Sequence, residues 1–175
     1  RGFFGKMIYY GSGAEYDSRH YVPKMSEEYF DKHVPDDDYG FSKYIMNILA
    51  QKTDNIINIR AFGVYGKYED WRIRFISNAC CKAIFNMPIT INQNIYFDYL
   101  YIDDLVKITK WFIDSSPRFH DYNICTGVPI DLVSIANMIK EISKKNMPII
   151  IKTPGLKKEY SGNNLRLLSE IGSFH

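Results

Sequence analysis

The sequence has little cysteine, little histidine and almost no excess charge. Its three cysteines, Cys80, Cys81 and Cys125, form neither an even framework nor a metal spacing, and the adjacent pair falls within a helical pattern. A disulfide-stapled fold is excluded, and a reducing cytoplasm is the expected compartment. His20, His33, His120 and His175 show no ligand spacing among them, so no metal site is expected and each is read as an isolated surface residue. Lysine and arginine (22) nearly balance aspartate and glutamate (20), and the net charge of +2 leaves no electrostatic footprint for nucleic acid. The longest apolar run is far short of the roughly 20 residues a membrane span needs, and no charged-apolar-small leader opens the chain. A soluble protein without a membrane partner is expected. The chain opens at "RGFFGK" without a methionine, so either the natural start lies upstream or a tag has been removed.

What is present is a steady alternation of strand and helix signals. At 175 residues the chain suits one domain with a real core, and its 15% aromatic content is read as buried sheet packing. "KMIYYGSG" is a short apolar run ending in glycines, a buried strand entering a loop. Ala14 to Asp38 is polar with two prolines and is expected to be mostly loop. Tyr44, Ile45, Ile48 and Leu49 then mark one helical face. "NIINIRAFGVYG" reads as a strand, Ile76 to Ile84 as a helix, and "PITI" and "YFDYLYI" as strands. A helix stripe at Leu105, Ile108 and Phe112, a strand at "DYNICTG", a helix from Leu132 to Ile139, a strand at "MPIIIKT" and a short helix closed by Gly172 complete the pattern. The expectation is a mainly parallel α/β sheet. A dinucleotide site in such a sheet needs a strand, a glycine-rich turn and a helix whose N-terminus faces the pyrophosphate. "GSGAEY" lacks the third glycine and runs into the polar stretch, and "GVYGKY" fails likewise, so the phosphate-binding half is expected to lie outside this chain.

"DYGFSKYIMNILAQK" places Tyr39 and Lys43 four residues apart, on one face of a helix. A nearby ammonium favours phenolate and draws a tyrosine from about 10 toward neutrality, which suits proton exchange with a substrate oxygen. Ser12, at a strand end in "YYGSGAEYD", is placed to hold that oxygen. Asp103 and Asp104 open a helix, where carboxylates favour the positive dipole end, and are not taken as acid/base or metal groups. Cys125, Tyr65 and Tyr101 are read as packing residues.

The order Ser12, Tyr39-Gly-Phe-Ser-Lys43, "NIRAFGVYG", "FDYLYIDDLVK" and "YNICTG" resembles the extended short-chain dehydrogenase/reductase family, in its nucleotide-sugar epimerase, dehydratase and ketoreductase branch. The resemblance runs from about Lys6 to Gly172. It implies a partial Rossmann-like fold with a small C-terminal substrate-binding lobe, NAD or NADP as cofactor and a nucleotide-diphosphate sugar as partner. Residues 1–66 then correspond to the second half of the Rossmann-like domain, and residues 67–175 to the substrate lobe with returning Rossmann elements. By the same resemblance, Ser12 contacts the sugar oxygen, Tyr39 is the general acid/base, and Lys43 lowers its pKa and binds the nicotinamide ribose. Phe62 and Gly63 line the nicotinamide and sugar. The chain departs from the family where Gly63 replaces a usual asparagine and Phe97 an arginine that grips the diphosphate. Arg72 and Arg74 are candidates to supply that charge instead.

Gly13 and Ala14 stand where 4,6-dehydratases carry an Asp-Glu pair, and Ala14 and Tyr68 where the 3,5-epimerising reductases carry cysteine and histidine. Both reactions are disfavoured, leaving hydride transfer at one sugar carbon by a 4-epimerase or 4-ketoreductase. The alternative is a catalytically silent sugar-binding or subunit-contact remnant. A partial sheet exposes an edge and an apolar face, so association with itself or with the missing half is expected, and the piece alone is expected to bind little cofactor.

Overall fold

The computed structural model describes residues 5–174, and these described residues form nine strands and five α-helices. In chain order these are β1 (Met7–Ser12), α1 (Asp38–Gln51), β2 (Ile56–Ala61), β3 (Gly63–Tyr65), α2 (Phe75–Ile84), β4 (Ile89–Asn94), β5 (Tyr96–Phe97), β6 (Tyr99–Tyr101), α3 (Ile102–Asp114), β7 (Asp121–Ile124), β8 (Ile130–Asp131), α4 (Leu132–Ser143), β9 (Ile149–Leu156) and α5 (Leu165–Ile171). Strands β1, β2 and β7 form a three-stranded parallel sheet in that order. Two further parallel pairs, β3-β6 and β4-β9, and the antiparallel pair β5-β8 build the rest. The expected parallel α/β architecture is observed. His175 lies outside the described residues.

Side chains alternate across a strand, so each strand of the first sheet presents two chemistries. Ile57 and Ile59 of β2 and Tyr122 and Ile124 of β7 pack with Leu105, Ile108 and Phe112 of α3 and Leu167 of α5 in one core. The stripe at 105, 108 and 112 follows the 3.6-residue period, which is why α3 lies along the sheet. The opposite face is polar although buried: Asn58, Arg60, Asp121 and Asn123 are all under 9% exposed. A second core joins Ala79 and Ala83 of α2, Ile89 and Ile91 of β4, and Leu132, Ile135 and Ala136 of α4.

Four expectations are corrected. The polar stretch after Ala14 is not a surface loop: it makes short 3-10 turns at Gly13–Glu15, Ser18–His20 and Glu27–Tyr29, and buries Glu15, Tyr16, Asp17 and Glu27. "NIINIRAFGVYG" is two strands in two sheets, broken at Phe62, whose ring is so close to Gly13 and Gly162 that a Cβ on either would collide with it. "YFDYLYI" is likewise divided, by the fully buried Asp98, whose carboxylate accepts from the Thr126 hydroxyl and the Thr126 and Gly127 amides at 2.7 Å each. Tyr101, expected in the core, is 40% exposed and leans on Tyr65.

Arg60 is the ionic centre of the polar face. Its guanidinium donates to Glu15 at 2.8 Å, Asp121 at 2.9 Å, the Tyr16 hydroxyl at 2.8 Å and Asn123 at 3.0 Å. Breaking a buried pair from one side leaves the other charge uncompensated, which costs about 3–5 kcal/mol. Arg60→Met is expected to lower the unfolding free energy by that amount in urea denaturation; a loss under about 1 kcal/mol would show that the cluster is not structurally required.

Candidate functional site

Ser12 ends β1 and is 7% exposed. Its Oγ accepts from the Ala14 amide at 3.2 Å while Glu15 Oε1 accepts from the Ser12 amide at 3.1 Å, a reciprocal capping box that sets the serine at the mouth of the sheet. Tyr39 lies in the first turn of α1, where the Asp37 side chain caps the Gly40 amide at 2.8 Å. Gly40 brings the two together. A Cβ there would stand 2.6 Å from the Ala14 carbonyl oxygen, so only glycine lets the helix start this close to the segment after Ser12. Lys43, one turn on, donates from Nζ to the Tyr10 carbonyl at 2.9 Å and sits 5.9 Å from the Tyr39 ring centroid and 4.9 Å from that of Tyr9. Its ammonium is thus beside the Tyr39 ring on the sheet side.

Ser12, Tyr39, Phe62, Gly63 and Arg74 line one cavity of about 660 Å³. Lys43 is set behind Tyr39 and is not part of the wall. A second cavity of about 490 Å³ shares Arg74, Phe75 and Phe97 with the first and adds Arg72, Lys82 and Lys157, with no carboxylate in its lining. Arg72 therefore belongs to this second cavity, and its exposed guanidinium is held by Asp70 at 2.9 and 3.1 Å. Arg74, at the N-cap of α2, faces both.

Sequence reasoning missed Tyr21, Glu69, Tyr99, Lys158 and Tyr160, which complete the larger cavity. They come from separate stretches with no mutual spacing, so no local signal marked them. Burial pushes the phenols of Tyr21, Tyr99 and Tyr160 well above the ordinary tyrosine range. At neutral pH these three are hydrogen-bonding groups and not bases.

Gly11 and Gly13 do not form a phosphate cradle. A Cβ at Gly11 would collide with Asn58 Oδ1 and Glu15 Oε1, so the chain's own amide and carboxylate occupy that space, and a carboxylate repels phosphate. The residues present at this turn do not fit the pyrophosphate of a dinucleotide. Among the described residues, no group of three or more His, Cys, Asp or Glu side chains is placed to hold a metal ion. His20 and His33, read from sequence as isolated, instead stack with ring centroids 3.6 Å apart.

Mainly parallel strand pairs with helices packed against them define a Rossmann-like α/β protein. The chain belongs to the NAD dependent epimerase/dehydratase family, whose model matches residues 1–125. It is 27% identical, over 77% of its own length and 46% of the relative's, to an ADP-L-glycero-D-manno-heptose-6-epimerase of Brachyspira hyodysenteriae. Its fold is similar to that of a UDP-glucose 4-epimerase of Thermotoga maritima solved with UDP-glucose, at a TM-score of 0.83 and 20% identity, covering 95% of this chain and 57% of that one. It is also similar to a dTDP-glucose 4,6-dehydratase of Bacillus anthracis solved with NAD, at a TM-score of 0.82 and 17% identity, covering 96% and 56%. The chain spans about half the length of the curated relative it matches.

The segment between Ser12 and Tyr39 is tied down by Asp17, which is 2% exposed and accepts from Arg19 Nε at 2.9 Å and Nη2 at 2.7 Å. The Arg19 hydrogen bonds hold this carboxyl well below the usual range. A depressed folded pKa contributes stability above the unfolded value of about 3.9 and loses it as pH falls below that toward the folded value. Asp17→Asn is accordingly expected to be less stable than the native chain at neutral pH, with the gap closing below about pH 4 in urea titrations run across pH. A gap that stays constant with pH would contradict this.

Proposed function

We propose that this chain carries the proton-transfer and sugar-binding part of an NAD(P)-dependent nucleotide-sugar 4-epimerase or 4-ketoreductase. One observation carries the reading: Ser12 and Tyr39 wall the same cavity, with the Lys43 ammonium beside the Tyr39 ring. In this reading the nicotinamide, when bound, takes up or returns a hydride at the sugar carbon. Tyr39 removes the proton from the hydroxyl on that carbon as it becomes a carbonyl, and gives it back when the carbonyl is reduced. Lys43 favours the phenolate by charge, since a cation near a phenol stabilises its ionised form. Ser12 holds the same oxygen. An epimerase performs both halves, with the ketone turning over between them, and a ketoreductase performs only the second.

The second cavity supports a diphosphate beside the sugar. Arg74, Lys82 and Lys157 give it positive charge with no carboxylate in its lining, Arg72 being paired with Asp70, and a guanidinium fork suits phosphate oxygens. Arg74 faces both cavities and so bridges sugar and phosphate in this reading.

The test is a panel of nucleotide-activated sugars and 4-keto sugars, assayed with NAD and NADP on the protein in its natural full-length form. Tyr39→Phe is expected to lower kcat by about 100-fold or more, in line with the usual size of acid–base catalysis. Arg74→Ala is expected mainly to raise KM, as loss of binding common to ground and transition states does. Turnover of one substrate at an undiminished rate by Tyr39→Phe would remove that residue from the chemistry, and no turnover across the panel would favour the silent remnant.

Self-association is also proposed. Phe41, Ile45 and Leu49 form an i, i+4, i+8 stripe on α1 and are 46%, 39% and 51% exposed. Sedimentation velocity is expected to show a dimer that Ile45→Glu dissociates. A clean monomer of the native chain would refute it.

A further inference from the structure

We infer that Glu69 is a specificity-determining residue of the larger cavity: its carboxylate accepts a hydroxyl of the bound sugar and turns away a sugar that itself carries a carboxylate. The inference deepens the reading above and rests on the proposed seat of the sugar beside Ser12 and Tyr39. Glu69 lines the same cavity as those two residues, and among the described residues of that lining it is the one acidic side chain.

The segment that carries Glu69 is fixed at both ends. At Gly66 a Cβ would stand 2.3 Å from Ile102 Cγ2, so glycine lets the chain press against the start of α3. The Glu69 amide then donates to the Gly66 carbonyl at 3.3 Å, and further on the Arg74 amide donates to the Asp70 carbonyl at 3.0 Å as the chain enters α2. The side chain is held too. The Ser77 hydroxyl, in the first turn of α2, donates to Glu69 Oε2. A carboxylate has about four lone-pair sites across its two oxygens, so Oε1 stays open to a further donor. Among the described residues, no lysine or arginine forms an ion pair with Glu69.

The two cations of the same wall are otherwise engaged. Lys158 donates from Nζ to the Arg19 carbonyl, and Arg74 also faces the second cavity, where the diphosphate is proposed to lie. With phosphate drawing Arg74, the uncompensated charge that meets the sugar is that of Glu69. A sugar hydroxyl can donate to Oε1, and a hydrogen bond to an ionised acceptor is stronger than one between neutral groups. A carboxylate on the sugar would bring like charge against it in a partly dehydrated space, where repulsion is larger than in water. The cavity therefore suits a neutral hexose and opposes a uronic acid. Glu69 makes and breaks no bond in the reaction.

The test compares pairs of nucleotide sugars that share nucleotide and stereochemistry and differ only in a primary alcohol against a carboxylate, on the protein in its natural full-length form. Binding is read by equilibrium dialysis and turnover as kcat/KM. The hexose is expected to bind and react at least about tenfold better than its uronic acid, since like charges placed together at a binding site are strongly disfavoured. Glu69→Gln keeps an acceptor oxygen without the charge, and is expected to raise the uronate at least about tenfold while the hexose falls a few-fold. Glu69→Asp keeps the charge and is expected still to refuse the uronate. A native preference for the uronate would overturn the inference, as would a Glu69→Gln variant with the native ratio. Equal admission of the uronate by the Gln and Asp variants would show that fit and not charge makes the choice, and would overturn it as well. If sugars bind but none turns over, the functional reading fails by itself, and the dialysis ratio still decides the role of Glu69. Absence of binding by either sugar across the pairs would overturn both.

Discussion

One guanidinium, fully buried in the middle strand of the first sheet, organises the region around Ser12. Removing a charge from water is costly, and Arg60 is stable at 0% exposure only because carboxylates and oxygens surround it. Burial alone would lower its pKa, but the Tyr16 hydroxyl, Glu15 and Asp121 more than offset that and raise it. Glu15 is the member of this cluster that reaches the candidate site. Its Oε2 accepts a hydrogen bond from Arg60 Nε and its Oε1 accepts one from the Ser12 amide, so the charge at the sheet centre fixes the backbone of the serine. From the other side Asp121 is shared with Arg166, which also reaches Glu28. The alternating charges run from α5 through β7 and β2 to the end of β1.

This cluster explains why a stretch with the composition of a loop folds inward. Glu15, Tyr16 and Glu27 cover a sheet face made of Asn58, Arg60, Asp121 and Asn123, and a polar cover is the one that satisfies such a face. The other face of the same strands is isoleucine and tyrosine against α3, held by apolar burial. The sheet is thus joined to one helix layer by the hydrophobic effect and to the segment between Ser12 and Tyr39 by directed hydrogen bonds. Directed bonds suit that position, because they determine where individual hydroxyl groups stand.

The legible part of the molecule was the periodic part. Tyr39 and Lys43 were readable as neighbours because a helix returns to the same face every three to four residues, and the strands because apolar runs ended in glycine. Arg60 was not readable: in "NIINIRAF" a charged residue between Ile59 and Ala61 looks like the solvent side of a strand, and its partners at 15 and 121 are distant in sequence. Tyr160 was hidden for the same reason, since its environment is assembled from residues near 13, 21, 62 and 97. Asp98 broke an apparent strand because its carboxylate is committed to the turn at Thr126 and Gly127, a tertiary bond with no local signature.

The departures at Gly63 and Phe97 follow from the same packing. A Cβ at Gly63 would come within 2.7 Å of the Asp98 carbonyl oxygen and 3.0 Å of the Tyr99 ring, so the close approach of β3 to the segment around Asp98 leaves no room there for an asparagine. Phe97, next to that buried aspartate, packs its ring on Tyr99 and Tyr160 and borders both cavities. An arginine in its place would bring a charge into an aromatic cluster that positions Tyr160. Positive charge is instead carried at the rim, by Arg74 on the N-cap of α2 and by Lys82 and Lys157, where solvent lowers its cost. Under the proposed function the site has a glycine and a phenylalanine in place of two polar side chains and moves recognition of the substrate's charge outward. The geometry that orients the reacting hydroxyls and the loss of the usual polar contacts are then consequences of one packing arrangement around Asp98.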